Sequence, residues 1–298
     1  MSKKIKTEKI YRATAIPDRE FEFNRDESLL QSKNEYDPDG NLILEITFNA
    51  AGNINEKNEY KYDAQGRQEI SIIYSEEDEP LETRRTYYDE DGNVLKEEII
   101  YLDGTVDSTE YHYKEGLLID KVQKTDEEEI ESRETFNYED GRMVLYEKFN
   151  EDGKMVYQLK NTYKQSMIEE TEIRSLENEQ PSRQVIHYNK AGRRKEELHY
   201  DHRDRLVSRN QYEEDDQGRI IRVKEENVGS KNLTELMYDE QGRPKSQVET
   251  DVNGETVSQI ERFYNDEGRM RQARVLYREP ITGTLQENYL VYEYDYFD

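Results

Sequence analysis

A turn of the form Tyr-Asp-x-x-Gly returns at nearly constant spacing along this chain of 298 residues. Clear copies lie at residues 36–40, 62–66 and 88–92, so that their glycines are 26 residues apart. Variant copies continue the series as far as residues 264–268, and a second turn falls midway between successive copies. Repetition of this kind predicts an array of about ten β-hairpins of about 25 residues each.

Between the turns, polar and apolar side chains alternate. Leu42, Leu44 and Ile46 fall on one face of a strand, whereas Glu45 and Thr47 fall on the other. A period of two indicates strands, and no helical spacing is sustained anywhere in the sequence. We therefore predict an all-β protein.

The residues of the recurring turn have mechanical explanations. Asp can accept hydrogen bonds from the backbone of its own turn, and Gly adopts a positive φ without steric cost. Tyr ends one strand, where it can stack on a neighbouring repeat while its hydroxyl stays at the edge. The predicted structural turn residues are Tyr36, Asp37, Gly40, Tyr62, Asp63, Gly66, Tyr88, Asp89, Gly92, Tyr238, Asp239, Gly242, Tyr264 and Gly268.

The composition limits the shape of such an array. Only 33% of the residues are hydrophobic, 38% are charged, and the mean hydropathy is −1.21. A β-sandwich needs a continuous apolar inner face, which these strands lack. We therefore expect one extended, twisted or curled antiparallel sheet that forms an open half-shell. Closure into a barrel is the less favoured alternative, because it requires a filled or wet lumen.

The turn segments resemble a known family. Residues 36–41, 62–67, 88–93, 238–243 and 264–269 are similar to YD repeats, also called RHS repeats, and the resemblance extends over roughly residues 30 to 295. It implies a long β-sheet that spirals into a hollow shell, often around a toxic C-terminal domain. This chain is much shorter than the shell-forming members and lacks the toxin domain. We therefore expect the repeat architecture without toxin encapsulation.

Three regions follow from the repeat. Residues 1–28 are predicted to be an N-terminal cap or extension, residues 29–287 the hairpin repeats, and residues 288–298 an aromatic edge strand. An edge strand can end the sheet or pair with another chain. The candidate partner-binding edge consists of Tyr289, Tyr292, Tyr294, Tyr296 and Phe297.

Charge restricts the partners. The formal net charge is −26, which disfavours nucleic acid and anionic membranes and suits a basic protein or a larger complex. The acidic runs at residues 76–79, 126–129 and 213–216 are interpreted as solvated loops. The chain has no cysteine and no apolar stretch of membrane-spanning length. We expect a cytoplasmic protein, and export with a removed signal peptide is the alternative.

Few residues are candidates for a metal site or a catalytic site. His199, Asp201 and His202 form the one histidine cluster that suggests a metal, but His202 falls on the other face or in the turn. Asp37 and Asp39 resemble a calcium loop that lacks its later ligands. Catalytic motifs are absent, so we predict no catalytic residue, metal or cofactor. The basic group Arg262, Arg269, Arg271, Arg274 and Arg278 is expected to balance neighbouring acids.

The sequence thus favours a non-catalytic protein-binding or scaffolding protein whose acidic, Tyr-rich sheet wraps a partner. Two alternatives stay open. The chain could be an immunity protein that neutralises a basic toxin, or a structural subunit of a larger envelope or secretion-type assembly.

Overall fold

A computed structural model describes residues 3–13, 28–176, 181–279 and 281–298. These residues form 22 antiparallel strands in a single sheet. The strands are β1 (Ile5–Ala13), β2 (Ser28–Tyr36), β3 (Leu42–Phe48), β4 (Ile54–Tyr62), β5 (Gln68–Tyr74), β6 (Pro80–Tyr88), β7 (Val94–Tyr101), β8 (Val106–Lys114), β9 (Leu117–Lys124), β10 (Ile130–Glu139), β11 (Arg142–Asn150), β12 (Met155–Lys164), β13 (Met167–Ser175), β14 (Ser182–Tyr188), β15 (Arg194–Tyr200), β16 (Leu206–Glu214), β17 (Ile220–Asn227), β18 (Ser230–Tyr238), β19 (Pro244–Thr250), β20 (Thr256–Tyr264), β21 (Met270–Arg278) and β22 (Leu285–Tyr296). The prediction of β-strands is confirmed.

The sheet closes into a barrel, so the predicted open half-shell is wrong. Each strand pairs with its neighbours in sequence, and β1 pairs with β22 as well as with β2. Lys9 of β1 lies opposite Lys33 on one side and Glu293 on the other. The expectation of an open sheet rested on the wet lumen that a barrel of this size needs. Because side chains on both faces of the sheet are polar, the structure tolerates such a lumen.

Both irregular ends of the sequence take part in the closure. The predicted N-terminal cap contributes β1, and the remainder of that segment, residues 14–27, lies outside the described residues. The aromatic C-terminal segment is part of β22, which has a hydrogen-bonded neighbour on each side. The edge that could have paired with another chain is therefore occupied within the molecule.

The barrel is hollow. Strands spaced at ~4.8 Å give a perimeter of about 105 Å, and a circle of that perimeter has a backbone radius of about 17 Å. The chain exposes 19440 Å² of surface, whereas a compact monomer of its mass, 35.7 kDa, would expose about 13,000 Å². No described side chain is less than 2% exposed. Water therefore reaches both faces of the sheet.

Cross-strand pairing replaces a central core. Apolar residues of one strand lie opposite long charged residues of the next, as Leu44 does with Glu59 and Leu198 with Arg209. The aliphatic parts of the charged side chains cover the apolar ones, while the charged ends stay in water. This pairing explains how a chain of low hydropathy forms a continuous sheet.

The two ends of the barrel differ. One end carries the Tyr-Asp-x-x-Gly turns and their variants, beginning with residues 37–41; we call it the tyrosine rim. The other end carries the midway turns, beginning with residues 49–53; we call it the distal rim. Odd-numbered strands run from the tyrosine rim to the distal rim, and even-numbered strands run back. Register shifts occur at both rims, such as those between Glu35 and Tyr36 and between Thr47 and Phe48, and such bulges increase local twist.

Closure can be tested with an engineered disulfide, because the natural chain has no cysteine. We predict that Lys9→Cys with Glu293→Cys forms an intramolecular disulfide on mild oxidation, since these residues are cross-strand partners. Mass spectrometry of peptides digested without reduction detects the link.

The matched control is Lys9→Cys with Glu147→Cys, which places the second thiol on β11, halfway around the ring. An open sheet would leave the first pair unlinked, as it leaves the control.

Candidate functional site

The Asp residues of the tyrosine rim hold their own turns together. Asp37 Oδ1 accepts hydrogen bonds from the backbone N–H groups of Asp39, Gly40 and Asn41 at 2.9, 2.8 and 2.9 Å. Gly40 has a φ of 97°, a conformation that side chains other than glycine disfavour. The hydrogen bond from the Asn41 side chain, together with these backbone donors, lowers the pKa of the Asp37 carboxyl. The carboxylate thus has a structural role within its own turn.

The tyrosines of these turns tie neighbouring repeats together. The hydroxyl of Tyr62 donates to the carbonyl of Leu42 at 2.7 Å, and that of Tyr88 donates to the carbonyl of Gln68 at 2.7 Å. The same contact is made by Tyr163, Tyr238, Tyr264 and Tyr294. Each tyrosine thus joins its own hairpin to the previous one.

Arginine stacks on many of these tyrosine rings, and this contact was not predicted. Arg67, which follows Gly66, lies over the Tyr88 ring with its guanidinium carbon 4.4 Å from the ring centroid. The pattern recurs as Arg219 over Tyr238, Arg243 over Tyr264 and Arg269 over Tyr296. The recurring Gly-Arg dipeptide was the signal in the sequence. At these turns an arginine stacks on the ring by a cation–π contact, where stacking of a second tyrosine was expected.

Four positions in the series lack an arginine, namely Asn41, Asn93, Leu117 and Met167. Met167 occupies the place that follows the turn at residues 165–166, and Tyr188 is the ring of the next repeat. Met167, Tyr188, Lys164 and Lys190 line a cleft of about 380 Å³ at this point. The cleft is shallow and open to water.

Paired phenols and carboxylates cross between strands elsewhere on the sheet. Tyr60 donates to Glu45 at 3.1 Å and Tyr74 donates to Glu59 at 2.8 Å. Burial, followed by the hydrogen bond to Glu45, raises the pKa of Tyr60 to about 12. These phenols stay protonated at neutral pH and act as cross-strand donors.

The histidines are spread over several strands. His112 Nδ1 is 3.8 Å from Asp120, and His187 Nδ1 is 3.3 Å from Glu170. His199 lies in β15, whereas Asp201 and His202 lie in the following turn. Within the described ranges, no group of three His, Cys, Asp or Glu residues could hold a metal ion. The expectation that there is no catalytic residue, metal or cofactor stays a prediction.

The basic group near the C-terminus is engaged with acids. Arg274 contacts Glu287 and lies 3.2 Å from Glu261, and Arg278 lies 3.3 Å from Glu255. Arg269 is 3.6 Å from Glu267. Three of the five arginines in this group thus contact acids.

Five aromatic residues were predicted to form a partner-binding edge: Tyr289, Tyr292, Tyr294, Tyr296 and Phe297. Four of them belong to β22, and the backbone N–H of Phe297 donates to the carbonyl of Lys4 at 3.1 Å. Tyr292 and Tyr294 lie opposite Ile10 and Glu8 of β1. The structure thus brings these residues together as part of the closure.

Exposed apolar side chains are concentrated on the distal rim. Of the 17 large hydrophobic residues that are exposed in the described part of the chain, 13 lie at this end and four at the tyrosine rim. The distal ones are Leu29, Ile54, Ile73, Leu81, Tyr101, Leu102, Ile130, Leu206, Val228, Val252, Tyr277, Ile281 and Leu285; the others are Tyr87, Leu95, Met167 and Met237. Turn tips are normally polar, so this placement points to a surface that is covered in use.

The distal rim contains two distinct arcs. The apolar arc consists of Leu206, Val228, Val252, Ile281 and Leu285, on turns that follow one another around the ring. Val228, Val252 and Ile281 are 82%, 71% and 92% exposed. The acidic arc consists of residues 76–79, Asp103 and residues 126–129, on the distal turns between β5 and β10. Sequence reasoning found the acidic runs but did not place them beside each other.

Comparisons with known proteins give no family. No protein-family model and no curated protein matches the chain. Among solved structures, it is similar to TcdB2-TccC3 without its hypervariable C-terminal region, at 14% identity over 82% of this chain and 15% of that chain, with a TM-score of 0.33. Porin-like proteins from Bacteroides uniformis and Bacteroides vulgatus are 9% and 10% identical over 98% and 99% of both chains, with TM-scores of 0.34 and 0.26.

These likenesses are too distant to indicate a function, and the chain spans only 15% of the TcdB2-TccC3 chain. The YD-repeat interpretation stays a prediction. Among the described residues, no helix is long and apolar enough to cross a membrane.

Acid should weaken the barrel through the turn carboxylates. Hydrogen bonds from Asn41, Asn93 and Arg205 lower the pKa values of Asp37, Asp89 and Asp201 below those of the unfolded chain. Their contribution to stability is therefore present above about pH 4 and is lost as the pH falls through the folded-state values. We predict that the free energy of unfolding, from urea titrations followed by circular dichroism, falls steeply below about pH 4.

The matched variant replaces all three aspartates with asparagine. Asparagine already caps an equivalent turn in this chain, because Asn189 Oδ1 accepts hydrogen bonds from the N–H groups of Ala191 and Arg193 at 2.9 and 3.1 Å. Its stability should depend less on pH. An unchanged slope would contradict this explanation.

Adding one arginine to the stacked series should stabilise the fold. We predict that Met167→Arg places a guanidinium over Tyr188 and raises the free energy of unfolding by about 0.5–1 kcal/mol in urea titrations. Met167→Gln has a similar length without the charge and serves as the control. Equal stability of the two variants would contradict a cation–π role for the series.

Proposed function

We propose that the chain is a non-catalytic protein-binding barrel that docks a partner protein on its distal rim. The observation that carries this proposal is the unequal distribution of exposed apolar side chains between two otherwise similar rims. Exposed apolar patches lower solubility and mark interaction surfaces on soluble proteins. The tyrosine rim, with its capped turns and stacked arginines, is the structural end.

The dimensions suit a protein partner. A contact band about 8 Å deep along a perimeter of about 105 Å has an area near 800 Å², the usual area that one partner contributes to a stable complex. Hydrogen bonds within the turns fix the backbone at the rim. In the turn that carries Val252, Asp251 Oδ1 accepts hydrogen bonds from the N–H groups of Asn253 and Glu255, both at 2.9 Å. A rim that is already ordered loses little entropy on binding.

The charges on the sheet favour a barrel that meets its partner in water and not within a membrane. A barrel that crosses a membrane presents an outward apolar band about 25 Å tall. Here Glu59 shares a face of the sheet with Leu44, whereas Glu45 lies on the opposite face. Arg209 and Glu172 lie on the first face, and Lys148 lies on the second. Because both faces carry charges, we infer a water-soluble barrel that works in the cytoplasm or, after export, in another aqueous compartment.

The closed ring changes the surface that is open to a partner. A sheet with free edges could wrap a partner, but this ring offers rims. Neutralisation of a toxin is one use of such a docking surface. Incorporation into a larger assembly through an aromatic edge strand loses support, because β22 is paired on both sides.

Site-specific photo-crosslinking tests the proposal. We predict that p-benzoylphenylalanine at Val252 gives a discrete covalent adduct in the cells that make the protein, whereas the same group at Met237 gives none. The two positions are matched, because they are 71% and 63% exposed on opposite rims. Mass spectrometry identifies the adduct, and Val252→Asn with Ile281→Asn, without the crosslinker, should reduce co-purification of the same partner.

Equal adducts at the two positions, or none at either, would refute docking on the distal rim. Leu95→Asn with Met237→Asn, on the tyrosine rim, is the control for the asparagine pair and should leave co-purification unchanged.

A further inference from the structure

The distal rim contains a second exposed apolar group that differs from the apolar arc in its surroundings. Leu81, Leu102 and Ile130 are all exposed, and they lie in or next to the distal turns between β5 and β10. Successive turns on one rim are two strands apart, roughly 10 Å. These three apolar side chains therefore lie within the span of a single partner surface.

Carboxylates surround this apolar group. Residues 76–79 and 126–129 are all acidic, and Asp103 lies on the turn between them. Asp78 pairs with Lys57 at 2.7 Å and Glu128 approaches Lys124 at 3.7 Å. In the described residues, Glu76, Glu77, Glu127 and Glu129 have no ion pair. The excess negative charge around the apolar group is therefore not neutralised within the chain.

The other side of the same rim carries fewer negative charges, and more of them are paired. In the turn at residues 201–205, Arg205 pairs with Asp201 at 2.6 Å, and Asp204 pairs with Arg183 at 2.6 Å. The turn at residues 228–229 has no charged residue. A partner that covers the rim thus meets apolar side chains on both sides, but the densest group of unpaired carboxylates on one side.

We infer that the occupant of the distal rim is a protein with a cationic, amphipathic surface, whose apolar side chains cover Leu81, Leu102 and Ile130 while its Lys or Arg residues face the acidic arc. This inference rests on the proposed docking function and names the class of partner. Opposite charges brought together across an interface speed association and set the orientation of the partner. A second copy of this chain, at net charge −26, meets repulsion at the same arc.

Two defined peptides test the inference with the full-length chain. The probe is a fluorescein-labelled 18-residue amphipathic helix made of Lys and Leu, and its counterpart has Glu in place of every Lys. The arc variant carries Glu76→Gln, Glu77→Gln, Glu127→Gln and Glu129→Gln. The control variant carries Glu90→Gln, Asp91→Asn, Glu240→Gln and Asp266→Asn on the tyrosine rim. Both variants lose four negative charges, so their net charges are equal.

Fluorescence anisotropy should show that the Lys/Leu peptide binds the natural chain and that the Glu/Leu peptide does not. The arc variant should bind the Lys/Leu peptide about tenfold more weakly, and the control variant less than about twofold more weakly. The difference should shrink as salt rises, because ions screen exposed charges. Leu81→Asn with Leu102→Asn should also weaken binding, since the inference requires the apolar contact.

Four results would overturn the inference. They are no binding of the Lys/Leu peptide, equal binding of the two peptides, equal losses in the two charge variants, and a dimer by light scattering that the arc variant abolishes. Failure of the docking function itself is distinguishable, because it shows as equal crosslinking from positions 252 and 237 whatever the peptides do.

Discussion

The pairing of β1 with both β2 and β22 is the constraint on which the rest of the structure depends. A sheet of 22 polar strands has no central core to hold its two ends, and an open form would leave two long edges of unpaired N–H and C=O groups. Closure removes both edges at once and gives every strand two neighbours. Because stability then comes from pairs of adjacent strands, the faces of the sheet can remain polar, and a wet lumen costs little.

The closed ring has two rims, and their side chains differ. At the tyrosine rim, Asp63 accepts from the N–H groups of Gln65 and Arg67, both at 2.9 Å, and pairs with the Arg67 guanidinium at 2.7 Å. Arg67 in turn lies over Tyr88. These polar groups are largely engaged with each other, so few remain for a partner. Distal turns are capped in the same way, as Asp251 shows, but apolar residues such as Leu102 and Val228 stand at their tips.

Local features of the fold could be predicted from the sequence, whereas contacts between distant parts of the chain could not. Turns such as residues 36–40 and strands such as β3 follow from glycine, aspartate and a period of two, each of which acts within a few residues. Closure depends on β1 meeting β22, and Lys9 and Glu293 lie at opposite ends of the sequence, where no repeat motif marks them as partners. The rim asymmetry was missed for a related reason. Ile281 is an ordinary apolar residue in the sequence, and its significance appears only when Val228 and Val252 stand beside it on adjacent turns.

The rigidity of the ring bears on how its rims can recognise a partner. In an open curled sheet, turns two strands apart would shift relative to each other as the sheet twists, and a partner would have to order them on binding. In a closed ring the register of each strand is fixed by both neighbours, so Val252 and Ile281 hold one spacing, as do the carboxylates of the acidic arc. A partner then gains contact area at a low entropic cost. The same rigidity makes the charge pattern directional, because the acidic arc and the apolar arc are held about half a circumference apart and cannot converge on one small epitope.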